Sequence, residues 1–162
     1  MKVLVTRPMP EAAATAAALT DLGHEPLVTP LLTLRPVEAS MTETGIQALI
    51  ATSANALRTL PEGAAAAAAA GIPLFAVGPA TAAAARQAGF ASVVAAAGTA
   101  ESLLPILRER LEPAGGTVIH LSGRHLSVNI AAVLAAEGFA ATRLVTYEMV
   151  AAERLPDPLE GA

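Results

Sequence analysis

Short apolar runs alternate with helix-forming segments along almost the whole chain, and that alternation constrains the fold more than any other feature. "KVLVT" reads as a strand and "PEAAATAAALTDLG" as a helix closed by Gly23. "EPLVTPLLTLRPV" is extended and punctuated by three prolines. "IQALIATS" and "ANALRTL" form the next strand and helix, followed by an Ala-rich segment at 62–70 that ends at Gly71. "PLFAVG" leads into "PATAAAARQAG", with Pro79 at a helix start and Gly89 at its end. "ASVVAA" leads into "TAESLLPILRERL", and "GTVIHLSG" into "HLSVNIAAVLAAEG". "FAATRLVTYEMV" is the last strand. Continuous apolar strands separated by helices imply parallel pairing with helices on both sheet faces.

Five strands fall between Ile46 and Tyr147, enough for a complete doubly wound parallel sheet domain. Residues 1 to about 33 supply only strand, helix and strand before a Pro-rich crossover. The expected fold is therefore α/β: a doubly wound parallel sheet plus an incomplete second α/β domain of the same type. The expected boundaries are 1–35 for the incomplete domain, 36–147 for the complete one and 148–162 for a return segment. "LLTLRPVEASMTETG" reads as the linker.

Small polar residues crowd the points where strands end. "VTRP", "ATSAN", "AVGPAT", "AAAGTAES" and "HLSGRH" each run from a strand C-terminus into a helix N-terminus. Ser53, Thr81 and Thr99 can accept bonds from orphan helix N–H groups. Gly78, Gly98 and Gly123 let the backbone turn tightly or approach a ligand. Any one of these residues can be a cap and nothing more. As a set they share one edge of an open parallel sheet, where ligands bind and where helix N-termini favour anions. No nucleophile stands beside a base, and neither a P-loop nor G-x-G-x-x-G occurs.

Composition removes several function classes. Aromatic residues make up 2% of the chain, namely Phe75, Phe90, Phe139 and Tyr147, too few for nucleobase stacking. The net charge is -4 and Lys2 is the only lysine, so no basic face for phosphate backbones is expected. Without cysteine there are no disulfides or thiolate metal sites. The N-terminal apolar run is too short for a signal peptide, and no run suggests a membrane span. A soluble cytoplasmic protein is the expectation, without nucleic-acid or membrane partners.

Individual candidates carry less. His120 and His125 are five apart with no third ligand near them in sequence, and His24 follows a helix-ending glycine. Arg124 can meet a carboxylate or remain a solvated turn residue. Tyr147 can be core with a satisfied hydroxyl or a site residue. Arg7 can face the crevice or cap its own loop.

Taken together, "VLVTRP", "LGHEPLVTPLLTL", "ALIATSANAL", "FAVGPATAAAARQAGF", "GTAESL", "VIHLSG" with Arg124, and "GFAATRLVTYE" resemble the uroporphyrinogen-III synthase family, in order and spacing over essentially the whole chain. The combination of "TRP", "TSAN", "VGxxTA" and a late "VTY" carries the resemblance. It implies two similar α/β domains on a two-stranded connection, with an active site in the cleft between them. It implies hydroxymethylbilane as substrate, a linear tetrapyrrole with eight carboxylates. That substrate loses its hydroxyl, inverts its last ring through a spiro intermediate and closes to uroporphyrinogen III, with no metal or organic cofactor. By the same resemblance Thr52, Ser53, Ala54, Asn55, Gly78, Thr81, Ser122, Gly123 and Arg124 line the second domain's side of the substrate site, and Thr6 and Arg7 the first domain's side. Tyr147 matches the family's tyrosine, which assists loss of the hydroxyl; a phenol can donate a proton.

The family pattern continues past the late "VTY", and residues 148–162 are too few to supply the remaining elements. The chain is therefore expected to carry one complete domain and the opening unit of the other, with self-association through the open strand edges. A non-catalytic anion- or tetrapyrrole-binding module, and a domain acting only through an oligomeric interface, remain alternatives to the synthase.

Overall fold

The computed structural model describes residues 1–153. The described residues divide into two compact units, residues 1–35 with 149–153 and residues 36–148.

In the first unit, β1 (Lys2–Val5) and β2 (Glu25–Val28) pair in parallel, joined by α1 (Glu11–Asp21). Strand alternation explains its packing. Val5 and Ala12 are buried, while Leu4 and its register partner Leu27 are exposed. One face of this small sheet is therefore uncovered, with Leu4 and Leu27 beside the Lys2–Glu25 ion pair, because two strands and one helix cannot cover both faces.

In the second unit β4 (Ile46–Ala51), β5 (Leu74–Val77), β6 (Val93–Ala96), β7 (Thr117–Gly123) and β8 (Ala141–Ala151) are all parallel. The helices are α2 (Ala54–Arg58), α3 (Ala64–Ala69), α4 (Gly78–Gln87), α5 (Ala100–Arg110) and α6 (Ile130–Ala136). With β3 (Leu32–Pro36) the strand order is β3-β8-β7-β4-β5-β6. The chain winds outward from β4 through β5 to β6, then returns over the sheet through α5 to β7 on the other side of β4. The order reverses between β4 and β7, the point where open parallel sheets bind ligands.

Both sheet faces are filled, as period-two alternation of apolar strands requires. Ala48, Ile50, Phe75 and Val118 share a core cluster with Leu103 and Leu107 of α5 and Ile130 and Leu134 of α6. The alternate residues Leu49, Ala51, Leu74, Ala76, Ile119 and Leu121 are equally buried, and α2 and α4 pack together over that side. Few aromatics are needed because alanines such as Ala56, Ala82 and Ala85 let helices approach closely.

Three local expectations change. Residues 32–36 are not linker but strand β3, with Leu31 opposite Ala152 and Val37 opposite Thr146, hence antiparallel to β8. A sheet edge tolerates Pro36 because the missing N–H is not needed there. Helix α6 begins at Asn129, which caps Ala132, rather than at His125; residues 124–128 form a loop instead. Strand β8 continues through Glu148 to Ala151, and residues 154–162 of the expected return segment lie outside the described residues.

Candidate functional site

At the reversal point lies a crevice of about 370 Å³. Thr52 and Ser53 after β4, Val77 at the end of β5, and Gly98 to Glu101 at the start of α5 form part of its wall. Gly123, the loop residues from His125 to Val128, and Tyr147 of β8 complete it.

Each junction has a local physical reason. Ser53 is extended and accepts from Asn55 N at 3.2 Å, so it caps α2. Thr99 accepts from Ser102 N at 3.1 Å, and Ser102 Oγ in turn accepts from Thr99 N, a closed capping box. Helix α5 crosses back over the sheet to reach β7, which is why a junction that starts at edge strand β6 borders the switch point. The first turn of this eleven-residue helix thus faces the crevice, with Glu101 beside it.

Tyr147 is almost fully buried, and its ring lies on the backbone of Gly123. A Cβ on Gly123 would stand 2.7 Å from ring atoms Cε2 and Cζ and 3.0 Å from the hydroxyl oxygen. The phenol oxygen has no hydrogen-bond partner among the described residues. The pairing between β7 and β8 slips by one residue at this point: Ser122 stands opposite Val145, but Gly123 opposite Tyr147. Arg143 of β8 stands opposite His120, before the slip, and its guanidinium reaches the end of β7. Its Nε donates to Ser122 Oγ at 2.9 Å, and its Nη2 donates to the carbonyls of Gly123 and Arg124 at 2.7 Å each.

Beneath the rim, His120 is fully buried. Burial, and secondarily the positive charge of Arg143, push its imidazole down to about 4. It is neutral at neutral pH, with Nε2 at 3.4 Å from Thr52 Oγ1 and Nδ1 without a partner.

Among the residues expected from sequence, Thr52, Ser53, Gly123 and Tyr147 come together on this crevice. Ala54 and Asn55 follow directly in α2, where Asn55 Oδ1 accepts from Arg58 at 2.6 Å. Ser122 is buried, with Oγ accepting from Arg143. Gly78 opens α4 at φ 79° and is not on the crevice wall. Thr81 is buried inside α4 and caps nothing, contrary to its reading as a cap; α4 starts on Gly78 and Pro79 without a side-chain cap. The Arg124 guanidinium is paired with Glu148 at 2.7 Å. Thr6 and Arg7 belong to the first unit, where both are exposed and Arg7 donates to Thr15 at 3.2 Å.

Sequence reasoning passed over Arg143, Glu101 and the loop from His125 to Val128 as site residues. The recurring Gly-Thr junction at residues 98–99 was the one available signal for the α5 side. Among the described residues no three His, Cys, Asp or Glu side chains gather into a metal-holding group, and no helix is long and apolar enough to cross a membrane.

A family profile described as uroporphyrinogen-III synthase HemD matches residues 13–162. A search of curated proteins gave no significant match. Among solved structures, the uroporphyrinogen-III synthetase of Helicobacter pylori matches with a TM-score of 0.60 at 19% identity, covering 96% of this chain and 64% of that one. A mutant uroporphyrinogen III synthase of the extremely thermophilic bacterium Thermus thermophilus matches with a TM-score of 0.59 at 21% identity, covering 94% of this chain and 64% of that one. At these identities the likeness is one of fold. The chain spans just under two thirds of the length of either neighbour.

Proposed function

The chain belongs to the uroporphyrinogen-III synthase family, and we propose that its switch-point crevice takes the reacting end of hydroxymethylbilane and favours closure to uroporphyrinogen III. The observation that carries this reading is Tyr147: its ring is fixed on Gly123, its hydroxyl has no protein partner among the described residues, and it stands on the crevice wall. A phenol so held can donate its proton to the substrate's hydroxymethyl oxygen as the carbon–oxygen bond breaks and water leaves. The first turn of α5 borders the same space, and its N–H groups not taken by the Thr99 cap suit a substrate carboxylate.

A crevice of about 370 Å³ holds one end of a linear tetrapyrrole, not the whole. The proposed role is therefore local: binding one end, excluding water from the reacting carbon and supplying one proton. Holding the chain ends together contributes more to rate than that proton.

A crevice that holds only one end of such a molecule also fits a second reading, binding of a tetrapyrrole polycarboxylate without turnover. Fresh hydroxymethylbilane separates the two. Turnover yields isomer III in excess of the isomer I formed by spontaneous closure. An isomer ratio equal to the protein-free control, with calorimetric binding of uroporphyrinogen III retained, selects the second reading.

A further inference from the structure

We propose that Arg143 and Gly123 form a seat for Tyr147, with Arg143 as the positioning residue that holds the end of β7 in the slipped register on which the Tyr147 ring rests. The proposal deepens the reading of Tyr147 given above and rests on it for its functional meaning.

Without the slip, Thr146 would stand opposite Gly123. Thr146 is fully buried on the α2 side, within 3.3 Å of Thr59 Oγ1. The extra residue in β8 brings Tyr147 level with Gly123 instead. Bulges of this kind are uncommon between parallel strands, and they re-aim side chains beside sites. A ladder that loses register needs other donors for its carbonyls. The guanidinium supplies them to Gly123 and Arg124 and ties down Ser122 with its third bond. A fork of this shape bridges acceptors on three successive residues; a lysine ammonium does not reproduce it. Gly123 completes the seat by lacking a Cβ, since that atom would occupy the space of the ring. Arg124 N then donates to Tyr147 O at 2.9 Å and closes the unit.

The chain has one tyrosine and no tryptophan, so its intrinsic fluorescence reports Tyr147 alone. The test is acrylamide quenching of that emission in the full chain and in Arg143→Met, Arg143→Lys and Gly123→Ala, with far-UV circular dichroism as the folding control. Arg108→Met, which removes the ion pair between α5 and Glu137 at the end of α6, controls for general loosening. Quenching constants should rise at least twofold in Arg143→Met and Gly123→Ala, rise less in Arg143→Lys, and stay unchanged in Arg108→Met. If Arg143→Met does not fold, Arg143→Lys and Gly123→Ala carry the same readout. Quenching equal to the parent in folded Arg143 and Gly123 variants overturns the proposal, as does an equal rise in Arg108→Met. A rise confined to the seat variants with hydroxymethylbilane turnover unchanged supports the seat and removes Tyr147 from the reaction.

Discussion

Thr52 Oγ1 stands 3.4 Å from Nε2 of His120, so the rim of the crevice rests on a buried imidazole. Neutral His120 fits this place and charged His120 does not, because burial and the neighbouring Arg143 both oppose its protonation. In the unfolded chain the same imidazole takes up a proton below about 6.5. The native state resists until about 4. The stability associated with neutral His120 is therefore fully present above pH 6.5 and is lost as pH falls toward 4, amounting to about 3 kcal/mol across the window. Denaturant melts from pH 4.5 to 7 should show this slope, and His120→Leu should flatten it. Parallel pH profiles for parent and variant would contradict it.

Glu101 shares the first turn of α5 with the N–H groups proposed to meet a substrate carboxylate. The helix start favours this side chain, but a bound anion meets it as a like charge. Glu101→Gln should tighten binding of uroporphyrinogen III by about twofold to fivefold, an exposed-charge effect that shrinks with added salt. Calorimetry at two salt concentrations checks both the sign and the screening.

Gly78 separates a folding role from a binding role. Its φ of 79° is unfavourable for any residue with a Cβ, and Gly78→Ala should cost roughly 1–2 kcal/mol of stability. The nearest atom to such a Cβ is Gly98 Cα at 3.5 Å, an ordinary contact. Ligand affinity of the folded variant should therefore match the parent, because Gly78 is not on the crevice wall. Weakened binding in a fully folded variant would bring Gly78 back into the site.

Every large exposed hydrophobic among the described residues, including Leu4, Met9, Leu22, Leu27, Leu32 and Val150, belongs to the first unit. Amide exchange followed by mass spectrometry should find residues 1–33 fast and residues 46–147 well protected. Sedimentation should show association that grows with protein concentration. Uniform protection in a monomer at high concentration would contradict both.

The parts of this architecture legible in the sequence are those set by period. Apolar strands such as "ALIA" and "VIHL" and the glycines closing helices carry their own signals, and the α/β winding follows from them. Segment 32–36 was not legible, because a Pro-flanked run becomes a strand only when β8 lies beside it. Thr81 looked like a cap because capping chemistry and a buried helical threonine share the same residue type. Thr52, Ser53 and Gly123 could be placed at the crevice from sequence because parallel strands end along one edge, whereas Tyr147 entered through the family resemblance. Arg143 was missed because its three bonds exist only in the slipped register, and nothing in "FAATRLVTYE" announces a slip. Glu101 was missed because the path of α5 across the sheet, not its composition, brings its first turn to the switch point.

The crevice between the ends of β4 and β7, with Tyr147 on its wall, is the proposed place for the substrate's reacting end. The most direct measurement is an anaerobic titration of the isotope-labelled full chain with uroporphyrinogen III, followed by amide chemical shifts. The largest shifts should fall on Ser53, Gly98 to Glu101 and Gly123 to Val128, and the Tyr147 ring signals should move with them. Saturable binding with those amides and the Tyr147 ring unmoved would contradict it.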